Sequence, residues 1–216
     1  MKLLSRNEAS GKNNALTRLR NEQNECSKCL AFGGNPHVVF GTGNPDASVM
    51  FVGEAPGFEE AKQGRPFVGR SGQLLTSLME KIGLRRDDVY ITNVVKCRPL
   101  RDPQHPERPG NDRPPTRHEI EACLPVLLRE IAIVRPTLIC TLGNTPTQAL
   151  LHTAEGISSL RGIPVHYNAS KVLPLYHPAA LLHNPALRKT MEADFMKLRV
   201  MVLSLRTGRR MAGALR

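Results

Sequence analysis

Short apolar runs alternate with longer amphipathic stretches along most of the chain. The apolar runs predict strands at 48–52, 89–95, 137–142 and 172–176. The amphipathic stretches predict helices near 13–22, 72–82, 116–133, 145–151 and 185–205. Because each strand is separated from the next by a helical pattern, we expect an α/β fold with a central, mainly parallel, four-stranded sheet.

The net charge of +11 indicates which class of molecule the protein binds. Such a charge favours an anionic partner, and nucleic acid is favoured over a membrane because no basic amphipathic anchor stands out. No apolar run is long enough to span a bilayer, and the start of the chain turns polar at once. We therefore expect a cytoplasmic protein. Tryptophan is absent and aromatic residues make up only 4%, which argues against a single-strand binder with many stacking aromatics.

One long segment, 98–115, interrupts the alternation of strands and helices. Its prolines forbid regular structure, and two interpretations stay open: a solvated insertion, or a basic loop that contacts DNA phosphates. Thr116 followed by Glu119 has the form of a capping box and predicts the start of the next helix. We expect a single domain over residues 1–216, with frayed ends near 1–10 and 206–216 and a loop insertion near 98–115.

Cysteines form a possible four-ligand metal site. An all-thiolate set suits an iron–sulfur cluster or zinc, and the residues alone leave both open. Thiols stay reduced in the cytoplasm and bind metal rather than each other. Cys140 lies in a buried-strand pattern and is interpreted as a packed thiol. The candidate ligands are Cys26, Cys29, Cys97 and Cys123.

Polar side chains stand where predicted strands end. Glu54 follows the first strand, Asn93 lies at the end of the second, and His177 follows the fourth. Ligands of parallel α/β sheets bind outside the carboxyl ends of the strands. We therefore expect these three side chains to share a site.

The residue types at this edge suit one reaction. An asparagine amide can pair with N3–H and O4 of uracil, and it mismatches cytosine at both atoms. His177 can donate to the pyrimidine O2, Glu54 can position water, and Phe67, in an irregular loop, can stack on a base. Together these roles describe cleavage of an N-glycosidic bond to uracil, which must first be flipped out of a duplex.

Four longer motifs occur in the chain in a defined order. They are GEAPG at 53–57, GRPFVGRSG at 64–72, VYITNVVKCRP at 89–99 and HPAALL at 177–182. In these motifs and their spacing, from Cys26 to about Leu205, the chain resembles the family 4 uracil-DNA glycosylases. These are the iron–sulfur members of the uracil-DNA glycosylase superfamily, and the resemblance implies a three-layer α/β/α sandwich.

The resemblance also implies a cofactor, a reaction and site residues. It implies a [4Fe–4S] cluster on the four cysteines, and a monomer that hydrolyses the N-glycosidic bond of uracil in DNA during base excision repair. It implies that Glu54 lies by the attacking water, that His177 faces O2, that Asn93 reads the uracil edge and that Phe67 stacks on it. The remaining expected positions are Glu60 near C5, where it helps to exclude thymine, Gly53 and Ala55 as backbone contacts, Leu181 as the wedge that fills the gap left by the flipped nucleotide, and Arg70 at DNA.

Two departures from the family pattern leave alternatives open. Ala61 stands where the family usually has Asp, which puts local hydrogen bonds in doubt. The stretch between Cys97 and Cys123 is also longer than usual. A covalent-trapping relative has a long loop there, with a histidine that attacks the deoxyribose; here His105 lies in the loop, but not at the relative's histidine position. The alternatives are thus a covalent trap of uracil-containing DNA and a non-catalytic iron–sulfur nucleic-acid-binding module.

Overall fold

A computed structural model describes residues 2–24, 26 and 37–214 of the chain. The strands are β1 Thr42–Gly43, β2 Val49–Gly53, β3 Tyr90–Asn93, β4 Leu138–Leu142, β5 Val165–Tyr167 and β6 Ser170–Leu175. The helices are α1 Lys2–Asn24, α2 Phe58–Gln63, α3 Arg70–Lys81, α4 Arg117–Val134, α5 Asn144–Leu151, α6 Ile157–Leu160, α7 Ala180–His183 and α8 Arg188–Ala214, with 3₁₀ turns at Arg86–Asp88 and Pro185–Leu187.

The strands form a mixed sheet in the order β1-β3-β2-β4-β6-β5. Strands β3, β2, β4 and β6 are parallel and correspond to the four predicted strands, whereas β1 and β5 pair antiparallel at the two edges. The prediction of a four-stranded sheet is therefore wrong, because six strands pair among the described residues. Strand β1 has only two residues and β5 is not fully buried, so neither produces an apolar run in the sequence.

Helices cover both faces of the sheet. Successive strand residues point to opposite faces, so Phe51 and Met50 belong to different cores. On the first face, Phe51 stacks on Phe195 of α8 with ring centroids 6.4 Å apart, and α3 packs beside it. On the second face, Met50 packs with Leu19 of α1 and Leu127 of α4. This arrangement is the three-layer α/β/α sandwich that the resemblance implies.

Helix boundaries agree with the sequence where a cap is present. At the start of α4, the Thr116 hydroxyl accepts a hydrogen bond from the Glu119 amide at 3.3 Å, and the Glu119 carboxylate accepts one from the Thr116 amide at 2.6 Å. This reciprocal pair confirms the predicted capping box. The short helices α2 and α7 lack a comparable sequence signal, and α2 contributes residues to the candidate site.

The segment 98–115 folds around one buried guanidinium. Arg98 is 0% exposed, and it donates to Asp112 Oδ1 at 2.5 Å, to the Pro106 carbonyl at 2.7 Å and to the Arg108 carbonyl at 2.9 Å. Its guanidinium also lies 5.0 Å from the centre of the Phe58 ring. A buried charge needs such partners to offset the loss of water. Arg98 is thus a structural centre of the segment and is not available to phosphates.

Helices of the described part of the chain are all too short or too polar to cross a membrane.

Candidate active site

The carboxyl ends of the parallel strands meet at one cavity of about 380 Å³. Most of the side chains predicted for the site lie on its walls, although they come from distant parts of the chain. The predicted residues that line it are Glu54, Ala55, Glu60, Phe67, Arg70, Asn93 and His177. The structure therefore brings together the residues that the strand-end argument selected.

Asn93 ends β3 and is 1% exposed. Among the side chains that the structure describes, its Oδ1 is a buried oxygen with no hydrogen-bond partner. A buried acceptor left unpaired costs about 1–3 kcal/mol. Because this acceptor belongs to a residue of the cavity wall, it is suited to a ligand that supplies an N–H donor.

Gly53 makes room for two side chains of the site. A Cβ at this position would overlap Asn93 Oδ1, and it would lie 2.5 Å from Phe67 Cζ. Any other residue here would displace the amide or the ring. The absence of a side chain at Gly53 thus allows the Asn93 amide and the Phe67 ring to approach its backbone closely.

Phe67 has a left-handed backbone, with φ of 54°, which is unusual for a residue with a side chain. Arg86 stabilises this turn by donating to the carbonyls of Phe67 and Pro66, each at 2.9 Å. A Cβ at Gly72 would overlap the Phe67 carbonyl, so only glycine lets α3 approach. Strained conformations of this kind persist where the surroundings over-determine them. Arg86 was not selected from the sequence because the carbonyls that it binds lie in a loop separated from it by helix α3.

Glu60 also holds the Phe67 loop. Its Oε1 accepts hydrogen bonds from the amides of Val68 at 2.9 Å and Gly69 at 2.8 Å. Ala61, where the family usually has Asp, is 7% exposed and packs on the inner side of α2. A carboxylate at that buried position would lose its hydration. The local hydrogen bonds put in doubt by this departure are supplied by Glu60.

His177 follows β6, and its ring lies 5.7 Å from the Phe67 ring, measured between centroids. The Ala179 amide donates to His177 Nδ1 at 3.1 Å, so the neutral imidazole carries its proton on Nε2. Burial lowers the pKa of His177 from 6.5 to about 4. The ring is therefore neutral at pH 7 and retains one N–H donor.

Glu54 follows β2, and hydrogen bonds hold both its backbone carbonyl and its side-chain carboxylate. Its carbonyl accepts from the Val95 amide at 2.9 Å, and its Oε2 accepts from the Thr145 hydroxyl at 2.5 Å. Thr145 lies just beyond β4, and the sequence did not select it as a site residue. The rule that located Glu54, Asn93 and His177 at strand ends would have pointed to it.

The predicted DNA contacts have different outcomes. Arg70 is the first residue of α3, is exposed and borders the cavity. Leu181, the predicted wedge, is 6% exposed and packs in the core between the sheet and α8. Helix α7 turns Leu181 inward, so in this structure it does not project from the surface as a wedge would. The neighbouring Leu182 is 39% exposed and is the leucine that α7 presents to solvent.

The candidate cluster ligands are described in part. Cys97 is 3% exposed, Cys123 is 8% exposed and Cys26 is half-buried, whereas Cys29 lies outside the described residues. Within residues 2–24, 26 and 37–214, no group of three His, Cys, Asp or Glu side chains forms a metal site. Cys97 is disulfide-bonded in the structure, whereas binding a cluster would require its sulfur to be a thiolate.

The elements that carry these cysteines nevertheless converge. Helix α1, which precedes Cys26, packs on α4, which contains Cys123, and Arg129 of α4 donates to Glu22 of α1 at 2.6 Å. The chain returns at Val39, whose amide donates to the Lys96 carbonyl at 2.7 Å, next to Cys97. The thiol donor set and this convergence fit a cluster that would join α1, α4 and the end of β3.

The loop histidine has no contact with the cavity. His105 is 40% exposed, and its Nδ1 lies 3.3 Å from Glu107 Oε1. The loop residues that do line the cavity are Asp112 and Arg113, and Arg113 is paired with Glu119 at 2.7 Å. This placement argues against His105 as a covalent trap.

Comparisons with known proteins agree with this geometry. A sequence model of the Uracil DNA glycosylase superfamily matches residues 40–199. The chain is 42% identical over 199 residues to the Type-4 uracil-DNA glycosylase of Sulfurisphaera tokodaii, which covers 88% of this chain and 86% of the relative. It is 43% identical to the Type-4 uracil-DNA glycosylase of Saccharolobus solfataricus, over 84% of this chain and 83% of the relative. It is also 43% identical to that of Thermotoga maritima, over 80% of this chain and 87% of the relative.

Proposed function

The chain belongs to the uracil-DNA glycosylase superfamily, and we propose that it hydrolyses the N-glycosidic bond of flipped-out uracil in DNA. The products are free uracil and an abasic site, which base excision repair then restores. The matching type-4 relatives, the cavity at the strand ends and the net charge of +11 all support this function.

The unpaired Asn93 Oδ1 is the observation that carries the proposal. Uracil has a hydrogen on N3 that this oxygen can accept, and its O4 can accept from the same amide group. Cytosine has no hydrogen on N3 and has a donor where uracil has O4. Binding uracil thus removes the cost of a buried unpaired acceptor, whereas binding cytosine does not.

His177 stabilises the leaving group. When the bond between N1 and the sugar breaks, negative charge spreads onto the uracil O2. The neutral imidazole donates through Nε2, since Nδ1 already accepts from Ala179. One preorganised donor to such an anion contributes about 2.7–4 kcal/mol to the transition state. The lowered pKa of His177 supports this role, because the neutral ring donates an N–H hydrogen bond and carries no charge before the reaction.

Glu54 serves the other half of the reaction. The sugar develops positive charge as the base departs. The Glu54 carboxylate lines the cavity in which this occurs. A water oriented by Glu54 forms the new bond to C1′, and its proton passes to the carboxylate. A positioned base of this kind contributes about 10²- to 10⁴-fold to the rate.

The remaining wall residues select the base and hold the DNA. Phe67 stacks on uracil. Glu60 accepts hydrogen bonds from the loop that carries Phe67, and in this proposal it excludes a methyl group on C5. The backbone of Gly53 and Ala55 contacts the base edge. Arg70 contacts a phosphate, and the exposed Leu182, in place of Leu181, fills the gap left by the flipped nucleotide.

The cofactor is a [4Fe–4S] cluster, and its role is structural. Thiolates are the ligands that such clusters use, and the expected set is Cys26, Cys29, Cys97 and Cys123. When bound, the cluster supplies a covalent tie between segments that contact DNA. The reaction described above is carried by side chains and water.

Release of uracil from a uracil-containing oligonucleotide tests the function. The wild-type protein is expected to release free uracil, and Asn93→Asp is expected to be at least about 10²-fold slower in single turnover while it still binds DNA. Asn21→Asp, which makes the same change of charge on exposed α1, is the control and should match the wild type.

The same assay separates the alternatives. A non-catalytic module would release no uracil, and a covalent trap would leave an SDS-resistant DNA adduct that disappears in His105→Ala. If Asn93→Asp excised uracil at the wild-type rate, the uracil-reading role of Asn93 would have to be abandoned.

A further inference from the structure

The turn after β4 contacts two site residues, and the proposed reaction assigns it no role. The Gly143 amide donates to the Leu175 carbonyl at 2.9 Å, and a Cβ at Gly143 would lie 3.3 Å from the Cβ of His177. Two residues later, the Thr145 hydroxyl donates to Glu54 Oε2 at 2.5 Å. These residues lie 91 positions apart in the sequence, so the contact arises from the fold alone.

We propose that Thr145 is the positioning residue for Glu54. Its hydroxyl occupies one carboxylate oxygen and thereby directs the other, Oε1, toward the water that attacks the sugar. This inference rests on the proposed function, because it assigns a task to Glu54 in that reaction. Among the described residues, the hydrogen bond from Thr145 is the only one recorded at the Glu54 side chain.

Thr145 can hold a carboxylate because its own turn is rigid. Asn144 Oδ1 accepts from the Ile157 amide at 2.7 Å, which fixes the start of α5 to α6. The Thr147 hydroxyl donates to the Gly143 carbonyl at 2.8 Å and lies 2.8 Å from the Thr141 hydroxyl. A fixed hydroxyl can select one orientation of a partner, whereas a hydroxyl on a free loop would follow the partner's motion.

The strength of the hydrogen bond between Thr145 and Glu54 indicates that it orients the Glu54 carboxylate and is more than a packing contact. A hydrogen bond from a hydroxyl to a carboxylate at 2.5 Å is in the short, charge-assisted range, about twice as strong as a neutral one. The Glu54 backbone is already fixed through its carbonyl and Val95, so side-chain rotation is the freedom that remains. Misplacing a reacting group by about 1 Å costs up to about 10²-fold in rate.

Substitutions at Thr145 separate the hydroxyl from the shape of the side chain. Thr145→Val keeps the shape and removes the donor, and it is expected to slow single-turnover uracil release by about 10- to 100-fold while DNA affinity stays within about 2-fold. Thr145→Ser keeps the donor and is expected to remain within about 3-fold of the wild-type rate. Thermal unfolding of both variants, measured on the full chain with its cofactor, serves as the check on folding.

A double variant tests whether Thr145 acts through Glu54. In a Glu54→Ala background, Thr145→Val should add less than about 2-fold, since its partner is already gone. Three outcomes would overturn the inference if the wild-type protein still releases uracil. They are an equal loss of rate from Thr145→Val in both backgrounds, a wild-type rate for Thr145→Val, and a rate for Thr145→Ser as low as that of Thr145→Val. Absence of uracil release by the wild type would instead overturn the proposed function, and this inference with it.

Discussion

Individual residues of the site are placed by atoms that have no chemical role in the reaction. Gly53 admits the Asn93 amide and the Phe67 ring by lacking a Cβ, and Arg86 holds the carbonyl of Phe67 in a left-handed turn. The Ala179 amide chooses the tautomer of His177 by donating to Nδ1. A typical hydrogen bond contributes about 0.5–1.5 kcal/mol, which is small for the whole fold but enough to change a reaction rate several-fold.

The protonation of His177 gives a prediction at this scale. Burial lowers its pKa from 6.5 to about 4, so the unfolded chain binds a proton between these pH values that the folded protein does not. The stability that depends on the neutral ring is therefore complete above pH 6.5 and decreases as the pH falls toward 4. NMR of the ¹⁵N-labelled protein should show His177 neutral at about pH 6, with the proton on Nε2.

His177→Gln identifies the resonance in that experiment, because its signal disappears. A protonated ring at about pH 6, or a proton on Nδ1, would contradict both the burial effect and the hydrogen bond from Ala179.

Strand β3 and helix α4 are joined by a buried ionic network. Lys96 and Glu130 are 2% and 0% exposed, and their charged groups are 2.5 Å apart. Glu130 also accepts from the Tyr90 hydroxyl at 3.0 Å, and burial together with the Glu130 carboxylate raises the pKa of Tyr90. Lys96 donates to the Asn93 carbonyl at 2.5 Å, so the network links Asn93, the residue proposed to read uracil, to the helix that contains Cys123.

Breaking one half of this ion pair should be costly. Lys96→Met leaves the Glu130 carboxylate buried without its cation, and we expect it to lower the free energy of unfolding by about 3–5 kcal/mol. Adding Glu130→Gln removes the unpaired buried charge and should recover part of the lost free energy of unfolding. Thermal or urea unfolding measures both effects, and Lys171→Met, which removes an exposed lysine from β6, should change little.

The double variant decides the interpretation. If Lys96→Met with Glu130→Gln lost as much stability as the two single losses added together, the two charges would not act as a pair.

At the scale of the whole molecule, the proposed reaction site lies at the end of β3, and the expected cluster lies in the segment that follows this strand. Asn93 ends β3 and lines the cavity, whereas Cys97 follows four residues later and is preceded by Lys96, whose carbonyl accepts from Val39. A cluster at these cysteines would join the N-terminal part of the chain to the segment that follows Asn93, the residue proposed to read the base. Losing a cluster ligand should therefore weaken folding and DNA docking before it alters bond cleavage.

Replacement of one ligand tests this arrangement. Cys123→Ser is expected to lose most of the iron and acid-labile sulfide per chain, to unfold at lower temperature and to bind uracil-containing DNA more weakly. The control is Cys140→Ala, since Cys140 is 0% exposed within β4 and should keep its full iron content. Full iron content in Cys123→Ser, or zinc in place of iron in the wild type, would contradict the cluster.

Local sequence patterns determined much of this protein. Apolar runs located the four parallel strands, the pair of Thr116 and Glu119 located the start of α4, and the strand-end rule selected Glu54, Asn93 and His177. These features depend on neighbouring residues or on the period of the strand, so they can be read without knowing which distant segments meet.

Only the tertiary structure decided the rest. The edge strands, the burial of Arg98, the inward turn of Leu181 and the contact of Thr145 with Glu54 each depend on distant segments meeting in space. Chain-local patterns carry no record of such contacts, because a threonine or a leucine looks the same in sequence whether it faces solvent, core or a catalytic carboxylate. The residue types of the site were therefore readable in the sequence, and their orientation was set by the packing of the fold.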